Sequence, residues 1–161
     1  MSEQAIKKVL ITGANGFIGG SLMRYYQNQG QDVVGVDLVG NGDDIVEGDI
    51  SQPDSISQLL TESDVIIHTA ALVSNAMQDS DMWRVNVLAT RNLIQAAKEH
   101  KVRRFVQISS IVAYGNTAEG ELNETHPVHA DGGSYVLTKL ASEHVVLSEQ
   151  ANDDIEVVII R

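Results

Sequence analysis

The chain has 161 residues, 43% of them apolar, with only 2 prolines, which suits one globular domain with a sizeable core and excludes a disordered chain. Acidic residues outnumber basic ones 22 to 11, a formal net charge of −11 that argues against nucleic acid and membrane surfaces as partners. No cysteine is present, so disulfides and thiolate metal sites are excluded and a reducing, cytoplasmic setting is expected.

The opening "MSEQAIKK" lacks the apolar core of a signal peptide, and no apolar run reaches the ~20 residues of a membrane span. "KVLIT" (8–12) is expected to be a buried strand. "NGFIGGSLMRYYQNQG" follows as a helix closing at Gly30, then "DVVGVD" (32–37) as a second strand and a short third within 43–49. Ser51 is the expected N-cap of the next helix, with Pro53 in its first turn. "DVIIHTA" (64–70) is a fourth strand. From Met82 to His100, Val85, Leu88, Ala89, Leu93, Ala96 and Ala97 recur at helical spacing. "RRFVQISS" (103–110) is a fifth strand, 116–133 a polar loop, Ser134–Glu149 a helix and "IEVVII" (155–160) a sixth strand. Short Val- and Ile-rich strands alternating with helices predict an α/β fold, a parallel sheet with helices on both faces.

Gly13, Gly16 and Gly19 lie between the first strand and its helix, where open parallel sheets bind ligands. Gly13 would allow a tight turn, Gly16 a close approach of backbone N–H groups to a pyrophosphate, and Gly19 close helix packing. No Lys-Ser or Lys-Thr pair follows, so a nucleotide-triphosphate loop is excluded. Asp37 ends the second strand, 37 − 19 = 18 positions after the last glycine, close to the spacing of about 20 at which a carboxylate grips a ribose hydroxyl. No Lys or Arg stands nearby, and Asp43 and Asp44 follow, which favours NAD(H) over NADP(H).

Tyr135 and Lys139 share one helical face at i, i+4. An ammonium beside a phenol lowers the phenol's pKa and fits it for proton transfer, although such a pair is also common on surfaces. Ser109 and Ser110 close the fifth strand at the same sheet edge, where a hydroxyl can bond a reacting oxygen or simply shape a turn. His68 reads as a strand-end residue and His100 as a solvated helix end. His126 and His129 have few carboxylates at ligand spacing, so no metal is expected.

Together, "TGANGFIGG", "VD" (36–37), "GDI" (48–50), "HTAA" (68–71), "VNVLATRNLIQAA" (85–97), "FVQISSIVAYG" (105–115) and "YVLTK" (135–139) resemble the extended short-chain dehydrogenase/reductase family of the NAD-dependent epimerase/dehydratase type. The resemblance implies a Rossmann-type doubly wound parallel sheet of about six strands in three α/β/α layers, with residues 1–161 as the NAD-binding domain. It also implies a smaller substrate-binding domain that this sequence does not contain. It assigns Gly13, Asn15, Gly16, Phe17, Ile18 and Gly19 to the pyrophosphate loop, Asp37 to the adenosine ribose, and Asp49 and Ile50 to adenine. Ala70, Ala71, Asn86 and Ser109 join the cofactor-binding set. Ser110, four residues before Tyr114, would orient the substrate oxygen. Tyr135 would be the acid/base, and Lys139 would hold the nicotinamide ribose and tune Tyr135. Ala113, Ala89 and Thr138 stand where the family usually has Val, Gly and Ser. The implied activity is hydride transfer between nicotinamide and a C–OH or C=O carbon of a small-molecule substrate. The alternative is an NAD(H)-binding module without turnover. A homodimer is expected through helices 82–100 and 134–149, with Val85, Leu88, Leu93, Val136, Leu140 and Leu147 as surplus apolar residues.

Overall fold

The computed structural model describes residues 6–73, 79–115, 121–151 and 154–161. Residues 1–5 of the opening segment and 116–120 of the expected loop lie outside the described residues. Six parallel strands form one sheet: β1 Lys8–Thr12, β2 Asp32–Asp37, β3 Ile45–Glu47, β4 Val65–His68, β5 Arg104–Ile108 and β6 Glu156–Ile160. Their order is β3-β2-β1-β4-β5-β6, so the direction of winding reverses between β1 and β4. That reversal is where a doubly wound sheet opens a crevice beyond its strand ends. Register brings the carboxyl ends level, with Thr12 beside Val36 on one side and His68 on the other, and His68 beside Gln107.

The helices are α1 Phe17–Asn28, α2 Ser57–Glu62, α3 Asp79–Trp83, α4 Thr90–Glu99 and α5 Ser134–Gln150. Alternation along the strands sorts two cores. Val9, Ile11, Val65 and Ile67 pack with Met23 of α1 on one face. Leu10, Ile66 and Phe105 pack with Leu60 of α2, Leu93, Ile94 and Ala97 of α4, and Val146 of α5 on the other. The expectation of helices on both faces therefore holds over the middle of the sheet. It fails at β6, an edge strand whose Val158 and Ile160 are 36% and 50% exposed.

Three local expectations need correction. Ser51 does not cap a helix: it lies one residue too early, in a turn where its N–H donates to Asp49 Oδ1 at 2.8 Å. A 3₁₀ turn over Pro53–Ile56 leads into α2 instead, with Gln52 as the residue before it. The helix read from Met82 starts at Asp79 and contains a π-helical segment, Arg84–Ala89, between α3 and α4. Leu93, counted as surplus surface, is fully buried, whereas Leu88 and Leu147 are about half exposed. No helix of the described residues is long and apolar enough to cross a membrane.

Candidate functional site

The turn after β1 is built on the absence of two side chains. Gly13 has φ +69°, a region that penalises any Cβ, and a Cβ there would lie 2.7 Å from Ala70 Cα. A Cβ on Gly19 would collide with the carbonyl oxygen of Gly13. Gly13 N–H donates to Val36 O at 2.9 Å, and Gly16 N–H to Gly13 O at 2.9 Å, which folds the loop back onto the start of α1. That helix start has no side-chain cap and no acidic residue in its first turn. Its first N–H groups and its partial positive charge therefore remain for an anion. Phe17 is 93% exposed and Ile18 is also exposed, so neither is held by the core.

Asp37 faces this loop from the end of β2. Its Oδ2 accepts from Asn15 N–H at 2.9 Å and its Oδ1 from Leu38 N–H at 2.8 Å. Each oxygen keeps a second acceptor position, enough for a pair of vicinal hydroxyls. A cleft of about 450 Å³ joins Gly13, Gly16 and Asp37 to Gly48, Asp49, Ile50, Ala70 and Ala71. The volume suits an organic ligand, and the floor of bare backbone, the uncapped helix start and the carboxylate fit a dinucleotide. Gly13, Gly16, Asp37, Asp49, Ile50, Ala70 and Ala71, expected at the cofactor, share this one cavity. Asn15, Phe17, Ile18, Gly19, Asn86, Ser109, Tyr135 and Lys139, also expected at the cofactor, are not among its lining residues.

Asn86 sits in the π segment, buried, and acts as a clamp. Its Oδ1 accepts from Leu72 N–H at 2.7 Å, while its Nδ2 donates to Leu72 O at 3.0 Å and to Thr138 Oγ1 at 3.1 Å. Thr138 Oγ1 donates in turn to Tyr135 O at 2.9 Å. His68, at the end of β4, extends the chain in the other direction. Thr90 gives its only hydroxyl proton to Asn86 O at 2.9 Å, so it can only accept from His68 Nε2, 2.9 Å away. His68 Nε2 therefore carries the ring proton. Its Nδ1 accepts from Thr12 Oγ1 at 2.7 Å, and Thr12 Oγ1 accepts from Ala70 N–H at 3.4 Å. Two series thus meet at Asn86: one runs from the cleft wall at Ala70 through Thr12, His68 and Thr90 to the Asn86 backbone carbonyl, and the other from the Asn86 side chain through Thr138 to the backbone of Tyr135. Burial first, and the Lys139 charge second, push the His68 imidazole down to about 3, keeping it neutral.

Lys139 is 4% exposed and donates to Ile108 O at 2.7 Å. Burial pushes its ammonium down to about 8, and the charge of Glu143 opposes the fall. Tyr135 is half-buried in the first turn of α5, one helical turn from Lys139. The two serines divide. Ser109 is buried and bonds Glu143 Oε1, so its hydroxyl is committed to the interior. Ser110 caps the 3₁₀ turn Ile111–Tyr114 by accepting from Val112 N–H at 3.3 Å.

Glu143 carries no role in the sequence reading, yet it is the hub of this side. Arg161 Nη2 donates to its Oε2 at 2.8 Å and Arg161 Nε to its Oε1 at 3.1 Å. Arg161 Nη1 also donates to Tyr114 Oη at 3.1 Å. The pair ties β6 and α5 to the turn that presents Ser110. Its sequence signal is the carboxylate one helical turn beyond Lys139, on the Tyr135–Lys139 face.

The profile of the NAD dependent epimerase/dehydratase family matches residues 9–161. The chain belongs to that family. Among curated relatives, the low-salt glycan biosynthesis protein Agl12 of Haloferax volcanii is 31% identical over 95% of this chain and 55% of its own length. UDP-glucose 4-epimerase of Vibrio cholerae is 32% identical over 96% of this chain and 51% of its own. A short-chain dehydrogenase/reductase superfamily protein of Agrobacterium tumefaciens, solved with bound NAD, superposes with a TM-score of 0.85 at 33% identity, covering 96% of this chain and 48% of that one. MoeE5 in complex with UDP-glucose and NAD superposes at 0.83 and 33%, covering 94% and 52%. The chain spans about half the length of the curated relatives it matches. The family is NAD-dependent and enzymatic, and its Rossmann-type fold is the one found here.

Proposed function

We propose that this chain is the NAD-binding part of an epimerase/dehydratase-type enzyme acting on a nucleoside-diphosphate sugar. The observation that carries the cofactor reading is Asp37, set across the glycine loop with acceptor positions to spare and no cation beside it in the cleft wall of β2. The sugar nucleotide is favoured because structural neighbours hold UDP-glucose or UDP-glucuronic acid together with NAD. NAD, when bound, supplies the hydride acceptor. Gly13, Gly16 and α1 hold its pyrophosphate, Asp37 its adenosine ribose, and Asp49 and Ile50 its adenine. Tyr135 moves the proton at the substrate oxygen, Ser110 orients that oxygen, and Lys139 holds the nicotinamide ribose. Residues 1–161 form one cofactor-binding domain in this reading.

Titration with NADH and NADPH, followed by nicotinamide fluorescence, tests it. NADH is expected to bind at least about 10-fold more tightly, because a 2′-phosphate would meet the Asp37 carboxylate. Equal or tighter NADPH binding would remove Asp37 from its assigned role.

The reading includes a homodimer through α4 and α5. These helices lie side by side, joined by Lys98 Nζ to Glu149 Oε2 at 3.1 Å, and they expose Leu88, just before α4, and Leu147. Light scattering over a dilution series should show a discrete dimer. A monomer at high concentration would refute the pairing, and species growing steadily with concentration would point to the open β6 edge instead.

A further inference from the structure

The cofactor reading leaves a charge problem. A dinucleotide brings a doubly charged pyrophosphate to a protein of net charge −11, into a cleft walled by Asp37 and Asp49. Among the residues lining that cleft, Arg84 is the one basic residue. Of the other cations near the sheet ends, Arg161 is held on Glu143 and Lys139 on Ile108 O beneath the surface, while Arg24 lies in a neighbouring cavity on the outer side of Gly16 and Gly20, where it donates to Ser21 Oγ at 3.2 Å. Arg84 opens the π segment, immediately before Val85 and Asn86, and the Asn86 clamp on Leu72 fixes that segment against the cleft wall. Its side chain is exposed and only loosely held, with Nη2 at 3.6 Å from Asp81 Oδ1. An exposed pair at that distance is weak and readily exchanged for a better anion.

We propose that Arg84 is the cation that grips the cofactor's pyrophosphate, leaving Asp81 for a phosphate oxygen when the cleft fills. The inference rests on the reading of this cleft as an NAD site. The glycine loop supplies backbone dipoles from one side, and Arg84 supplies a full charge from the other. A forked guanidinium on a flexible stem suits this role, since it can bridge two phosphate oxygens.

The test is calorimetric titration of the unaltered chain, Arg84→Gln, Arg84→Lys and Asp81→Asn with NADH, ADP-ribose, adenosine and NADPH. Arg84→Gln is expected to weaken NADH and ADP-ribose alike by about 5- to 10-fold at low salt, with adenosine unchanged. Its affinity should also depend less on ionic strength than that of the unaltered chain. Arg84→Lys should recover most of the loss, and Asp81→Asn should bind at least as tightly as the unaltered chain. Equal ADP-ribose affinity in Arg84→Gln and the unaltered chain overturns the inference. So does an equal loss for adenosine, which has no phosphate. A loss confined to NADPH would place Arg84 at the 2′-position and also overturn it. Failure of the unaltered chain to bind either NADH or ADP-ribose would instead bring down the cofactor reading, and this inference with it.

Discussion

Tyr135→Phe should leave NADH affinity within about twofold and lower hydride transfer by at least ~10²-fold, the range for losing one general acid–base group. The substitution removes one oxygen and nothing else. The Tyr135 backbone stays tied by its carbonyl to Thr138, and through Thr138 to Asn86, so α5 keeps its place. Lys139 stays anchored on Ile108 O, so its proposed hold on the cofactor ribose survives. A reacting C–OH group must lose its proton as hydride leaves its carbon. Without the phenol, no hydroxyl remains on the Lys139 face of the first turn of α5 to take that proton. Hydride transfer is read as reduced nicotinamide formed on adding a nucleoside-diphosphate sugar, in the longest form of the protein available, with cofactor affinity titrated in parallel. An unchanged rate would remove Tyr135 from the chemistry. An affinity loss matching the rate loss would make it a cofactor ligand rather than the acid/base.

The parts of this protein that were legible in its sequence are those decided by local pattern. β1, β2, β4, β5 and β6 fall where Val and Ile cluster between turn residues, because burial on a parallel sheet demands such runs. The glycine loop was legible because only missing side chains permit the φ of Gly13 and the contact of Gly19 with Gly13 O. What stayed hidden depends on partners distant in the chain. Ser51 has the chemistry of an N-cap, but the chain turns at Asp49 and the helical turn opens only at Pro53, which leaves Gln52 in the cap position. The π segment has no signature in "RVNVLA", whose apolar spacing is that of an ordinary helix. It holds Asn86, whose side chain reaches Leu72 and Thr138, 14 and 52 positions away in sequence. Glu143 reads as one more carboxylate on an acidic protein until Arg161, Ser109 and Lys139 are seen around it. Of the two adjacent serines, nothing local says which one the interior takes.

The folded state should lose stability as pH falls from 6.5, at up to ~1.4 kcal/mol per pH unit, because of His68 alone. His68 is 1% exposed, and its folded pKa lies at about 3 against an ordinary 6.5. Between those values the unfolded chain binds a proton that the folded chain refuses. The stabilisation is therefore complete above pH 6.5 and is lost as pH drops toward 3. The depressed value has a structural cause. Nδ1 already accepts from Thr12, and a second ring proton would turn that hydrogen bond into a clash of donors, unless Thr12 rotates its hydroxyl away. Burial against Phe105, with ring centroids 5.7 Å apart, and the charge of Lys139 add to the penalty. Urea unfolding between pH 7.5 and 5 isolates the effect, since most carboxylates remain ionised there. The expected loss across the lower 1.5 units is about 2 kcal/mol. His68→Gln keeps a donor for Thr90 and cannot titrate. It should be less stable at pH 7.5 yet nearly flat down to pH 5. A flat profile in the unaltered protein would mean that the ring accepts a proton in place, and that the Ala70–Thr12–His68–Thr90–Asn86 series does not hold the direction drawn from its geometry.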